Sequence, residues 1–336
     1  MCQVLTRGCI LIGAAHRSGR WGRGRQADLH LRGPTVTVGI AALCTSVKGG
    51  DTIICATDTQ FSRGFTSSLL HLKTEQLMGT HWMVLLAADD LTHATDLIDE
   101  LDRLFVEARL ESKDTRDLAV TEAVLAQSQR AVRLKYAERY LPPGFSLERF
   151  YSEGQTLLPD VTYQSIWRSL MRPLACDLLV AGIDNVGYGA MLTVGEDYPT
   201  KRTREGFCSI GSGSGLALSI LSSYDHALTS PWREAAYRVY AAKKASERAA
   251  GVGPWTVLER LTANGRDILS TDLLQTLVDR FGILPSTAGQ AEIMKELEAA
   301  DLVVRTVPWD RPPTEAVPGL SHEKGNEDND AGTTGS

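Results

Sequence analysis

The alternation of apolar and polar positions predicts strands in the first part of the chain. Apolar runs bounded by turn residues predict strands at 35–44, 52–60, 67–79 and 81–90. The short stretch from Gly49 to Asp51 between the first two runs predicts a hairpin. Four consecutive strands without an intervening helix favour an antiparallel sheet.

Beyond position 90 the apolar period becomes helical. Six apolar residues recur at helical spacing, namely Ala94, Leu97, Ile98, Leu101, Leu104 and Phe105. A second helix is predicted over 115–141, and it ends at Pro142 and Pro143. Residues 145–173 are less regular, and we interpret them as an insertion of helical pieces between two halves of the chain.

The second half repeats the order of the first. Strands are predicted at 176–185, 187–197, 204–210 and 251–261, and helices at 216–228, 230–251, 271–282 and 288–302. In the helix over 230–251 we expect Ser230 as the N-cap and Pro231 at the first helical position. This order predicts an α+β fold, specifically a four-layer αββα sandwich in which two antiparallel sheets face one another with helices outside.

Composition sets the expected domain boundaries. Residues 1–34 contain an Arg/Gly-rich stretch, and we interpret them as a disordered leader, a propeptide or a mis-assigned start. Residues 307–336 are rich in Pro, Gly and Asp and are expected to form a disordered acidic tail. The folded domain is therefore expected to span 35–306.

Charge and cysteine usage narrow the class of protein. The 41 acidic and 35 basic side chains give a formal net charge of -6, which offers no general attraction to nucleic acid or an anionic membrane. No apolar run reaches the roughly 20 residues that span a bilayer. The six cysteines lack metal-ligand or disulfide-framework spacing, so we expect a cytoplasmic protein with reduced thiols and without a cofactor or metal.

Several short motifs occur in a fixed order along the chain. They are TVTVGI from Thr35, IICATDTQFSRG around Asp58, LHLKTEQL around Lys73, VLLAADDLTHATDLIDEL, LLVAGIDN, CSIGSGSGLAL and YRVYAAKKASERAAGVG. In order and spacing they resemble the β-type subunits of the proteasome and their bacterial relatives, which are N-terminal-nucleophile hydrolases. The similarity covers about 35–257, interrupted by the insertion and by a longer first hairpin.

The resemblance implies a set of catalytic residues. It makes Thr35 the nucleophile, with the freed α-amino group or a nearby water as the base. It places Lys73 beside these groups and Asp58 as the carboxylate partner of that lysine. A second set supports the reaction: the amide of Ala88 would stabilise the oxyanion, and Ser212 would lie near the amine of the nucleophile with Glu247 as its acidic partner.

Thr37 lies two residues beyond Thr35, so both hydroxyls point to the same face of a strand. At about 3.3 Å per residue, Thr37 lies about 6.6 Å further on, and we expect it to miss a lysine placed for Thr35. Pro34 restricts the backbone before Thr35 and handicaps cleavage there. If Val36 were the initiator, loss of the first residue would instead expose Thr37.

The resemblance also implies a peptide or amide substrate and a homo-oligomeric ring, whereas an ATPase or other activator is left open. One alternative is a catalytically inactive shell or scaffold subunit, which Pro34, Ala88 and Ala250 favour. Another takes residues 211–215 as the glycine turn of a nucleotide-binding unit. In that case Leu216 occupies the position of the third glycine, which disfavours the motif.

Overall fold

The computed structural model describes residues 37–45, 50–58, 61–63, 66–68, 73–88, 90–195 and 199–309. Within these ranges the strands are β1 (Gly39–Thr45), β2 (Asp51–Asp58), β3 (Phe61–Arg63), β4 (Thr66–Ser68), β5 (Thr74–Gln76), β6 (Trp82–Ala88), β7 (Cys176–Ile183), β8 (Gly189–Val194), β9 (Thr200–Lys201), β10 (Phe207–Ile210), β11 (Thr256–Thr262), β12 (Gly265–Leu269) and β13 (Val303–Pro308). The α-helices are α1 (Leu91–Leu110), α2 (Leu118–Glu138), α3 (Leu147–Leu157), α4 (Asp160–Leu170), α5 (Ser214–Ser223), α6 (Trp232–Ser246), α7 (Asp272–Phe281) and α8 (Thr287–Ala299).

The strands form two larger antiparallel sheets. The six-stranded sheet has the order β10-β1-β2-β11-β12-β13, and the five-stranded sheet has the order β5-β6-β7-β8-β9. Each sheet takes strands from both halves of the sequence, because β10 pairs with β1 and β7 pairs with β6. The predicted α+β class with antiparallel sheets is therefore confirmed.

Three clusters of buried apolar side chains hold these elements together. One combines residues of the six-stranded sheet with residues of α5, α6, α7 and α8, among them Ile54 and Val239. A second combines the five-stranded sheet with α1 and α2, for example Val84 with Leu101. The third contains residues of both sheets, such as Ile53 and Leu179. Strands with both faces in such clusters are continuously apolar, which explains the unbroken apolar run of β1.

The helix starts differ in detail from the predicted ones. Asp90 caps α1 by accepting a hydrogen bond from Thr92 N at 2.9 Å. The predicted cap of α6 is wrong by one residue, because Pro231 has an extended backbone with ψ of 141° and the helix begins at Trp232. Ser230 instead accepts a hydrogen bond from Arg238 Nη1 at 3.0 Å.

The insertion over 145–173 is helical, as predicted, and consists of α3 and α4. Aromatic rings join the two helices, since Phe150 on α3 stacks against Tyr163 on α4 with a centroid distance of 5.1 Å. No helix in the described residues combines the length and apolarity needed to cross a bilayer.

The folded chain extends past the predicted boundary at 306. The sequence pattern missed β12 and β13, and β13 continues to Pro308. Trp309 then inserts between the sheets with 3% of its surface exposed. Its Nε1 donates to Thr262 O at 2.7 Å, and its carbonyl accepts from Gln76 Nε2 at 3.0 Å. Trp309 therefore ties the six-stranded sheet to the five-stranded one.

We expect Trp309→Ala to lower the free energy of unfolding by about 3–5 kcal/mol, because it empties a buried site between the sheets. Trp255→Ala is the matched control, since that tryptophan is 63% exposed. Urea unfolding followed by circular dichroism measures both changes. Equal, small losses in the two variants would contradict a role for Trp309 in joining the sheets.

Candidate functional site

Three polar side chains meet where β1, β2 and β5 begin or end. Thr37 precedes β1, Asp58 ends β2, and Lys73 precedes β5. Thr37 Oγ1 donates to Asp58 Oδ1 at 2.7 Å, Lys73 Nζ lies 2.9 Å from the same carboxylate oxygen, and Lys73 Nζ also donates to Thr37 Oγ1. All three residues are buried, with exposures of 2%, 0% and 2%. A hydroxyl thus contacts both members of a buried ammonium–carboxylate pair.

The hairpin of β1 and β2 positions Asp58 against the start of β1. Thr45 lies opposite Asp51 and Gly39 lies opposite Thr57, so the register places position 58 opposite position 38. Accordingly, Val38 N donates to Asp58 Oδ1 at 3.2 Å. The second carboxylate oxygen accepts from Gly253 N at 3.0 Å. Asp58 therefore receives four donors, which compensate for its complete burial.

Lys73 is held by the five-stranded sheet. Its carbonyl accepts a hydrogen bond from Leu86 N on β6 at 2.9 Å. Burial lowers the pKa of the Lys73 ammonium, while the charge and hydrogen bond of Asp58 act in the opposite direction. The lowered pKa makes the neutral amine more accessible than in a solvated lysine. Lys73 can therefore both orient Thr37 Oγ1 and exchange a proton with it.

A glycine turn supports the backbone of Thr37. Gly211 has a φ of +86°, and a Cβ at this position would lie 2.4 Å from Thr37 O, so the close approach requires glycine. Ser212 Oγ lies 3.3 Å from Thr37 O, and Gly213 N donates to the same oxygen at 3.4 Å. Gly213 also packs tightly, because a Cβ there would lie 2.9 Å from Ser246 Cβ.

A second buried lysine lies behind Asp58. Lys243 on α6 is fully buried, and its Nζ donates to Gly253 O at 2.7 Å and to Glu247 Oε1 at 2.6 Å. Burial lowers the pKa of Lys243, whereas its contact with Glu247 and the charge of Asp58 raise it. The loop residue Gly253 therefore connects Lys243, through its carbonyl, to Asp58, through its amide.

The structure brings together Asp58, Lys73 and Ser212, as the sequence predicted, but around Thr37. The expectation that Thr37 would miss Lys73 is wrong, because Thr37 Oγ1 contacts both Lys73 Nζ and Asp58 Oδ1. Thr35 and Pro34 lie outside the described residues. Lys243 and Gly253 were missed, and the Lys-x-x-x-Glu spacing of Lys243 and Glu247 on a predicted helix was the available signal.

Glu247 has other partners than the predicted one, and Ala88 lies at the end of β6. The carboxylate of Glu247, expected to partner Ser212, is instead bound by Lys243 at 2.6 Å and by Lys244 at 2.8 Å. The hydroxyl of Ser212 lies 3.4 Å from Ala250 O. Ala88 is the last residue of β6, two residues beyond Leu86, and it pairs with Cys176. Its role as an oxyanion donor stays a prediction.

Other chemistries find less support among the described residues. No group of three or more His, Cys, Asp or Glu side chains there is arranged to hold a metal ion. The described cysteines Cys44, Cys55, Cys176 and Cys208 are buried. Burial raises the pKa of Cys176 and of Cys208 to about 12, which disfavours a thiolate nucleophile at neutral pH.

Comparison with known proteins adds no assignment. No protein-family model matches the chain, and no curated protein matches it. The resemblance to proteasome β-type subunits therefore rests on the order of the motifs and stays a prediction.

We expect Lys243→Met to lower the free energy of unfolding by about 1–3 kcal/mol, because Gly253 O would lose its buried donor. Lys244→Met is the matched control on the same helix. It removes a partner of the same carboxylate, but a more exposed one, so it should cost less than about 1 kcal/mol. Chemical denaturation measures both variants. Similar losses for the two lysines would contradict a special role for Lys243.

Proposed function

We propose that the protein is a threonine-nucleophile hydrolase of amide or peptide bonds, with Thr37 as the nucleophile. The observation that carries the proposal is the contact of Thr37 Oγ1 with both Lys73 and Asp58 in a buried site. A buried ammonium–carboxylate pair is costly to desolvate. Such a pair in contact with a hydroxyl is typical of a catalytic site, where charged groups activate a nucleophile.

The architecture supports the same proposal. One apolar cluster contains residues of both sheets, and the other two each combine one sheet with helices. This distribution is what a four-layer αββα sandwich requires, with two sheets face to face and helices on the outer faces. N-terminal-nucleophile hydrolases of the proteasome type are expected to have that arrangement.

The proposed reaction begins with attack of Thr37 Oγ1 on the substrate carbonyl carbon. The hydroxyl proton passes to the free α-amine of Thr37 or to neutral Lys73, and the carbonyl oxygen becomes an oxyanion. The amide of Ala88 is the proposed donor to that oxyanion. The C–N bond then breaks, the leaving nitrogen takes up the proton, and an ester on Thr37 remains. Water hydrolyses this ester and restores the hydroxyl.

An α-amine exists at Thr37 only when no residue is bonded to its nitrogen. The proposal therefore requires an active protein that begins at Thr37. The restriction that Pro34 imposes on its neighbours applies to the bond before Thr35 and does not extend to the bond between Val36 and Thr37. With Thr37 as nucleophile, Pro34 no longer opposes processing at the relevant bond.

The second candidate is an inactive shell or scaffold subunit of the same architecture. The observation that favours it is the binding of Glu247 by Lys243 and Lys244, which leaves Ser212 with backbone carbonyls as partners. Intact mass separates the candidates, because an inactive subunit would retain the residues before Thr37. Light scattering on the same sample tests the expected homo-oligomeric ring.

We expect an epoxyketone probe to label the protein on Thr37, because this electrophile closes a six-membered ring onto an amine and a hydroxyl of one terminal residue. Mass spectrometry should find one probe on a peptide that begins at Thr37. Thr37→Ala should abolish labelling and lower peptide hydrolysis by about a thousandfold or more. Thr35→Ala is the control and should label normally. Labelling that disappears with Thr35→Ala would overturn the assignment.

We expect the rate of hydrolysis to rise with pH as Lys73 loses its proton, with a midpoint below the ordinary range for lysine because burial lowers its pKa. In the route through neutral Lys73, Lys73→Arg should abolish activity at every pH, because a guanidinium keeps its positive charge and does not deprotonate. The lowered pKa also means that stability rises with pH between the folded and unfolded pKa values of Lys73. An active Lys73→Arg variant with an unchanged pH profile would contradict this role.

A further inference from the structure

A cleft of about 640 Å³ runs along β10, an edge strand of the six-stranded sheet. Ser214 and Leu218 of α5 line one wall. Asp177 on β7 and Thr193 on β8 line the opposite wall. The volume falls within the roughly 300–1,000 Å³ range of ligand-binding pockets. Among the described residues, no strand pairs with the outer edge of β10.

The main chain of β10 presents hydrogen-bonding groups to this cleft. Leu43 N donates to Gly206 O at 2.8 Å. With the register of the antiparallel pair, this bond determines which residues of β1 and β10 exchange hydrogen bonds. By the alternation of such ladders, Cys208 and Ile210 bond to β1, whereas the N–H and C=O of Ser209 point away from it. An exposed row of this kind is what an extended peptide pairs with when it adds a strand to a sheet.

The cleft reaches the glycine turn that supports the backbone of Thr37. It ends at Gly211, whose backbone lies against Thr37 O, and Ser212 Oγ is 3.3 Å from the same oxygen. This is the main-chain side of Thr37, which carries the α-amine in the proposed active form. When the α-amine of Thr37 returns the proton, the leaving nitrogen must lie within hydrogen-bond reach of that amine, so the leaving part of a substrate lies on this side.

We propose that the cleft binds the part of a peptide substrate that follows the scissile bond, as an extended strand added to β10. This inference rests on the proposed function and deepens it. From Phe207 to Gly211 the edge accommodates about four residues, at about 3.3 Å per residue. Asp177 and Glu205 outnumber Arg202 in the lining, so neutral or basic leaving peptides are favoured over acidic ones.

Ser209→Pro and Ser209→Ala form the matched pair for the test. Both lose the hydrogen bond from Ser209 Oγ to Gly39 O, but only proline also removes the N–H that faces the cleft. Proline is tolerated on an edge strand, and the bonds to β1 run through Cys208 and Ile210. Leu218→Trp and Leu218→Ala form a second pair. The tryptophan narrows the cleft from the side of α5, and neither substitution changes a strand.

The assay compares two substrates with the same acyl peptide. One carries a small arylamine leaving group, and the other continues for four residues to a fluorescence quencher. In Ser209→Pro relative to Ser209→Ala, kcat/KM for the longer substrate should fall about five- to tenfold, as for one lost main-chain hydrogen bond, and should change less than about twofold for the shorter one. Equal effects of Ser209→Pro on both substrates, or no effect on either, would overturn the inference.

A binding measurement tests peptide binding in the cleft independently of catalysis. A fluorescein-labelled decapeptide of alanine, serine and lysine is titrated against the Thr37→Ala protein and followed by anisotropy. Adding Ser209→Pro should weaken binding by a similar factor relative to adding Ser209→Ala. If the two variants differ in binding as expected but the unmodified protein cleaves neither substrate, the proposed hydrolase activity is wrong and the proposed peptide-binding cleft stands. If the protein cleaves the substrates and Ser209→Pro changes neither cleavage nor binding, only the proposed peptide binding in the cleft is wrong.

Discussion

A buried ammonium and a buried carboxylate held in contact are the constraint on which the centre of this protein depends. Removing Lys73 and Asp58 from water costs several kcal/mol per ion unless each keeps close partners. The carboxylate of Asp58 accepts hydrogen bonds that offset this cost, from Thr37, Val38, Lys73 and Gly253. Because these donors come from three separate segments of the chain, at 37–38, 73 and 253, the ion pair also fixes how those segments meet the end of β2.

The surrounding packing keeps this geometry rigid. Asp58 belongs to the six-stranded sheet and Lys73 is bonded to the five-stranded one, so the distance between them depends on how the two sheets pack. The apolar cluster shared by both sheets and the insertion of Trp309 maintain that distance. On the side away from Lys73, Lys243 and Gly253 extend the polar network into α6. Precise placement of this kind is what a reacting group requires.

Much of the fold could be predicted from the sequence, because apolar periodicity separates strands from helices over long segments. Asp58 and Lys73 were also predicted correctly as a pair. The register of the first hairpin was not, since positions 35 and 37 are expected on the same face of a strand and periodicity alone does not choose between them. Counting seven residues outward from the Thr45–Asp51 pair would have placed position 58 opposite position 38. The strands β12 and β13 were missed because β12 is short and β13 is mostly exposed.

A crystal structure of the mature protein that resolves the side-chain oxygen atoms near Asp58 is the most direct measurement of the central claim. We expect Thr37 Oγ1 within hydrogen-bond distance of both Lys73 Nζ and Asp58 Oδ1, with a free amino group on Thr37. A structure with another residue in that place, or with Lys73 turned away from Asp58, would contradict it.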